Sequence, residues 1–130
     1  MRRVLGAAIL VVLAGCASNT QVSQVPPAAG TYNLIAVDGQ AVPHVLTSGE
    51  EVISGQLLLK SDESFEMRTA MKAQVSSLEP LSFQREQSGV YTTSPIGVQL
   101  AWRTGGESIG AFFGRTLRIY YNGVEYLYMK

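Results

Sequence analysis

"RTLRIYYNGVEYLYMK", residues 115–130, sets an Asn-Gly pair between two stretches in which apolar and polar side chains alternate. Asn-Gly suits a two-residue type I′ turn, because both central residues of that turn need positive φ, which asparagine and glycine reach with least strain. Counting outward from Asn122-Gly123 puts Tyr121 opposite Val124, Ile119 opposite Tyr126 and Leu117 opposite Tyr128. All six are apolar or aromatic and share one face, while Arg118, Tyr120, Glu125 and Leu127 take the other. A slip of one residue would turn the six to water, so turn chemistry and burial demand the same register.

The sequence upstream continues in the same style of short strands cut by turn residues. "GTYNLIAV" (30–37) stops at Asp38-Gly39, and "VISGQLLLK" (52–60) and "SFEMRTAMK" (64–72) flank Ser61-Asp62-Glu63 as a second hairpin. "LSFQREQSGVYTT" (81–93) reads as a strand with Gly89 at a bend, ended by Ser94-Pro95. In "IGVQLAWR" (96–103) Ile96, Val98, Leu100 and Trp102 point one way, and Gly97, Gln99, Ala101 and Arg103 the other. "SIGAFFG" (108–114) and the closing hairpin complete the set. Only residues 45–49 and 72–81 leave room for a helical turn, and the second, short, polar and limited by Pro80, reads as an omega-like loop or a single helical turn. About eight strands joined mostly by tight turns predict an all-β fold, a small antiparallel up-and-down barrel over residues 30–130.

Composition narrows the class further. A chain of 130 residues holds one domain. Setting Arg2 and Arg3 aside leaves eight basic residues against ten acidic ones, and the missing basic stripe argues against nucleic acid as a partner. One cysteine, Cys16, forms no internal disulfide, and one histidine, His44, builds no Cys/His cluster for zinc or copper, so no cofactor is expected.

The N-terminus has its own pattern. Met1-Arg2-Arg3 is cationic, residues 4–14 form an apolar run of eleven, and Ala14 and Gly15 precede Cys16. That is the layout of an export signal, and the run is short of the roughly 20 residues a spanning helix needs. Leu13-Ala14-Gly15-Cys16 resembles a bacterial lipobox, with a large aliphatic residue, two small ones, then the cysteine. The resemblance implies a signal peptide over residues 1–15, removed before Cys16, whose sulfur takes a diacylglyceryl group. Two or three acyl chains anchor stably where one does so marginally, at about 0.8 kcal/mol per buried methylene. Ala17 stands where an aspartate would favour the inner membrane, so in a Gram-negative cell the resemblance implies the outer one, with the protein facing the periplasm. Residues 16–29, polar and small with Pro26-Pro27, read as the lipidated cysteine and a flexible tether.

"GTYNLIAVDGQAVP" (30–43) and "SGVYTT" through to Lys130 resemble the opening and closing of lipocalin-like and META-type bacterial domains. In that group a glycine and an aromatic begin the first strand, and a basic residue of the last strand packs over the aromatic. Here Tyr32 stands where lipocalins carry tryptophan, and either Arg118 or Lys130 fits the basic part. The resemblance implies a barrel that acts by binding.

Enzymatic signals are few. His44 would be a general base or metal ligand in a catalytic reading, but without a second histidine or a Gly-x-Ser-x-Gly elbow it is expected to be a solvent-facing loop residue, and no enzyme is expected. Asp62, Glu63 and Glu66 fit turn and outward strand positions better than a calcium loop. The aromatic set, with Phe65, Phe83, Tyr91, Phe112 and Phe113, supports two readings. One is a pocket for a small hydrophobic molecule or lipid, with Tyr32, Trp102, Tyr121, Tyr126 and Tyr128 as its candidate residues. The other is a filled core, in a structural or interaction lipoprotein that holds an envelope protein on its outer face or strand edge, or in an inhibitor of an exported enzyme. Tyr121, Tyr126 and Tyr128, three of this set in the last two strands, predict that one barrel mouth is wet.

Overall fold

The computed structural model describes residues 28–75 and 78–130. The export signal, Cys16 and most of the tether lie outside the described residues. Ten strands follow in chain order: β1 (Gly30–Val37), β2 (Gln40–Ala41), β3 (His44–Val45), β4 (Glu51–Leu59), β5 (Ser64–Ala73), β6 (Leu81–Ser94), β7 (Gly97–Trp102), β8 (Glu107–Phe113), β9 (Thr116–Tyr121) and β10 (Val124–Met129). From β4 to β10 each strand pairs antiparallel with the next, and β1 pairs with β10 on one side and β4 on the other. Eight strands thus close into an up-and-down barrel.

The closing hairpin has the expected register, with Tyr121 opposite Val124, Ile119 opposite Tyr126 and Leu117 opposite Tyr128. Its turn has φ of +52° at Asn122 and +74° at Gly123, as type I′ geometry requires. The β4–β5 hairpin also forms, with Asp62 Oδ1 accepting from the Ser64 N–H and hydroxyl.

Closure needs two irregularities. One extra residue in β1, Ile35, and one in β4, Ile53, shift the pairing, so that Leu34 and Val37, and Val52 and Leu57, all face inward. Such bulges sharpen the twist by which a sheet curls on itself. Beyond Asn33, β1 and β4 part company; β2 pairs with the free half of β1 and β3 with that of β4. These two-residue strands fill the seam. They are too short for periodicity to reveal, which is why sequence reading found the eight barrel strands and neither of them.

Several expectations need correction. Ile96 is 79% exposed, because Pro95-Ile96 forms the turn and the inward alternation starts only at Val98. Phe113 faces out, since Phe112 takes the inner position of β8. No helical turn forms at 45–49; Leu46 and Glu50 instead close a β-type turn after β3, and His44 pairs opposite Val52 in a strand instead of lying in a loop. Within 72–81, β5 runs on to Ala73 and β6 begins at Leu81, and between them the Leu78 N–H donates to the Val75 carbonyl at 3.1 Å.

The interior is filled. Val52, Leu57, Leu100, Leu117, Ile119 and Tyr128 are wholly buried. Phe65 meets Trp102 edge-on at 5.1 Å between centroids, and Trp102 meets Tyr121 at 4.5 Å. This aromatic series occupies the space a guest would need, as befits a barrel of eight strands.

Candidate functional site

The core fills the barrel between its two mouths. Strand direction assigns them: Gly30, Leu59, Ser64, Ser94, Gly97, Thr116 and Met129 lie towards one end, and the other carries Val37, Glu51, Ala73, Leu81, Tyr121 and Val124. The described chain begins at Ala28 beside the first, which we call the tethered mouth after the tether expected upstream of it.

A cleft of about 430 Å³ opens there, between Ala28 and Tyr32 of the entering chain, Thr93 to Pro95 at the β6–β7 turn, Phe112 and Gly114 of β8 and its turn, and Arg115 and Lys130. Its floor is aromatic, because Tyr32 and Phe112 both point inward at this end. Tyr32, only 3% exposed, donates its hydroxyl to the Ala28 carbonyl at 2.7 Å, which folds the entering chain against the barrel. The Lys130 ammonium lies 5.6 Å from the centre of the Tyr32 ring, a cation–π distance. Lys130 is therefore the basic residue over the first-strand aromatic. Arg118 instead stacks on Phe113 outside the wall, at 5.3 Å. Glycine suits position 30, whose φ is +146°, and a Cβ there would displace the end of the Lys130 side chain, 2.6 Å away at Cε. Arg115 and Lys130 are bound together, the Lys130 N–H donating to Arg115 O at 2.9 Å and Arg115 Nη2 donating to Lys130 O at 2.8 Å.

Two phenols near this end have pKa values raised by burial, Tyr32 and Tyr91. Tyr91 donates to the Lys60 carbonyl and so holds the β4–β5 turn against the barrel. That turn carries Asp62 and Glu63, whose charges also raise the Tyr91 phenol.

The far mouth is polar. On the inner face of β6, Arg85 and Gln87 follow Phe83, and Arg85 stands opposite the buried Thr69 of β5. Gln87 Nε2 donates to the Tyr121 hydroxyl at 2.7 Å, and Arg85 Nη2 lies 3.7 Å from Glu50 Oε1. Burial raises the Tyr126 phenol, against an opposing effect of Arg85. Val42 and Leu46 of the 38–50 connection pack against the core and cover this end.

The five aromatic candidates do not converge on one site. Tyr32 floors the tethered mouth, Tyr121 and Tyr126 belong to the far mouth, and Trp102 sits between Phe65 and Tyr121 in the packed interior. Tyr128 is fully buried, and its hydroxyl has no hydrogen-bond partner among the described residues. Sequence reading overlooked Arg85 and Gln87 as inner residues. The signal was present, because Phe83 and Tyr91 lie at the same parity and carry the residues between them to the same face.

Among the described residues no group of three or more His, Cys, Asp or Glu side chains is arranged to hold a metal ion. Scans of family models, of curated proteins and of solved structures gave no match to this chain.

Proposed function

We propose that this chain is an exported lipoprotein, held to a membrane through Cys16, whose barrel is a binding module for a small hydrophobic molecule or the acyl part of a lipid. The observation that carries the binding reading is the open cleft of about 430 Å³ at the tethered mouth, floored by Tyr32 and Phe112 above a filled interior. An apolar floor with a few polar groups at its rim is what a small-molecule site needs, and this volume falls in the usual range for one. The guest lies at the mouth and not within the barrel. The anchoring part rests on the sequence around Cys16.

Each half has its own test. Cells given radiolabelled palmitate should label the wild-type chain and not the Cys16→Ser variant; an unlabelled wild-type chain removes the anchor. A fluorescent fatty-acid analogue should bind the barrel saturably, and Thr93→Trp, which places an indole in the cleft, should abolish binding. Unaltered binding by that variant would locate the guest elsewhere.

A second reading draws on the outer wall. Val90, Ile96, Ile109, Phe113 and Tyr120 are each more than half exposed on β6 to β9 and the turn at Ile96. Exposed apolar residues on one wall are the usual mark of a protein-binding face. A strand edge for such a partner would come from the two-residue β2 and β3, which end the sheet of the described residues. Cross-linking in cells that recovers a specific envelope protein through position 109 would favour this second reading.

A further inference from the structure

We infer that the outer wall of β7 and β8 binds a second copy of this chain, in a two-fold pair whose axis runs along the strands between them. The inference rests on the second of the two readings, the wall as a protein-binding face, and it names the partner.

Three observations carry it. First, the wall holds both the recess and the projections that a self-pairing surface needs, because a two-fold interface sets one patch against itself. Gly97 stands opposite Ala111, and these small residues lie in a groove of about 300 Å³ bordered by Ile96 and Ile109. Position 97 is kept small by the wall itself, since a Cβ there would lie 2.3 Å from the Gly110 carbonyl oxygen. No charged side chain lines the groove. A charged peptide would find nothing there to answer it, whereas an identical wall brings the same uncharged surface.

Second, the register of β7 and β8 places the large residues where the axis exchanges them. Gly97 pairs with Ala111 and Gln99 with Ile109, so the axis would set Ala111 of each copy on Gly97 of the other, and Ile109 on the stem of Gln99. Ile96, whose carbonyl accepts from the Phe112 N–H, would meet Phe113 of the other copy. The small pair lets the two walls approach closely. Ile96, Ile109 and Phe113, each more than half exposed in the single chain, would then lose water together.

Third, the same axis brings no like charges face to face. Glu107 pairs with Ala101 and would stand over Ala101 of the other copy. Ser94, Gly97, Ala111 and Arg118 form one row across four strands, so Arg118 would stand over Ser94. Both charges keep the partners they have within their own chain, Glu107 the Gln99 amide at 2.6 Å and Arg118 the Glu125 carboxylate at 3.6 Å. Pairing therefore strips neither of its counterpart, which avoids the main cost of burying charge in an interface.

Two measurements on the full-length chain test this. Light scattering in dodecyl maltoside, corrected for bound detergent, should count two chains per particle. Ile109→Asp places a carboxylate against the other wall and Ala111→Trp fills the recess; each should weaken pairing at least tenfold. Both positions face outward, so the far-UV circular dichroism of the wild type should be kept. One chain per particle at every concentration reached would overturn the pair, and pairing undiminished in both variants would overturn this wall as its interface. In cells, benzoylphenylalanine in place of Thr92, at the margin of the groove, should on irradiation give an adduct of twice the chain's mass. Adducts with a different protein alone would overturn the second copy and leave the protein-binding wall standing. No adduct of either kind would overturn both.

Discussion

Tyr128 and Gly89 are the residues at which the barrel is most exacting. The Tyr128 ring fills the interior, yet its hydroxyl is desolvated without a partner among the described residues. Leaving such a group unsatisfied costs about 1–3 kcal/mol. Tyr128→Phe keeps the ring and removes the problem, so urea unfolding at pH 7 should show stability unchanged or higher by about 1 kcal/mol. At Gly89 the wall runs so close to β7 that a Cβ would lie 2.0 Å from the Ala101 carbonyl oxygen and 2.8 Å from a Phe65 ring carbon. Backbone on one side and a packed ring on the other leave nothing that can yield. Gly89→Ala should therefore lose about 2–3 kcal/mol or more, read by the same denaturation, against under 1 kcal/mol for alanine at an ordinary exposed strand position.

The β9–β10 hairpin shows how much a turn can dictate. Replacing Asn122-Gly123 with Ala-Ala forces two residues with side chains into positive φ, at about 1–2 kcal/mol each. The expected loss of about 2–3 kcal/mol should appear as a lower urea midpoint with the same m-value, since the native contacts are otherwise kept. This hairpin was legible in the sequence because turn chemistry and face polarity agree there. The seam was not legible: nothing in "DGQAVPHV" (38–45) alternates long enough to announce β2 and β3, and their pairing depends on where β1 and β4 diverge. Ile96 misled because alternation carries no mark of where a strand gives way to a turn. The candidate site was legible only in part. Tyr32 was singled out as an aromatic of the first strand, whereas the cleft around it joins residues from both ends of the domain, and only barrel closure brings Arg115 and Lys130 to it.

For the whole molecule, buried phenols set an upper limit in pH. Burial raises the pKa of Tyr32, Tyr91, Tyr126 and, most strongly, Tyr128 from the ordinary value of 10.0. Below pH 10 these groups are protonated whether the chain is folded or not, and their contribution is intact. Above it, the unfolded chain ionises first, so stability falls as pH rises, with a slope of about 1.4 kcal/mol per pH unit for a fully protected phenol. Urea midpoints should therefore drop between pH 9.5 and 11, and the drop should be shallower in Tyr128→Phe; a flat profile would contradict the burial described here. Because strand 1 is bonded to both β10 and β4, its amides from Tyr32 to Leu34 should exchange only on global unfolding, whereas those of the 38–50 connection should exchange through smaller openings. Hydrogen exchange followed by mass spectrometry separates the two.

Lys130 and the point where the chain enters the barrel occupy one end, bridged by the Tyr32 ring. A fluorescent protein fused after Lys130 would consequently lie beside the cleft and obstruct the mouth it was meant to report on. The Thr104-Gly105-Gly106 turn, exposed on the wall away from that end, offers a place for a short epitope. An antibody raised to such an insertion should reach the folded barrel without covering the cleft.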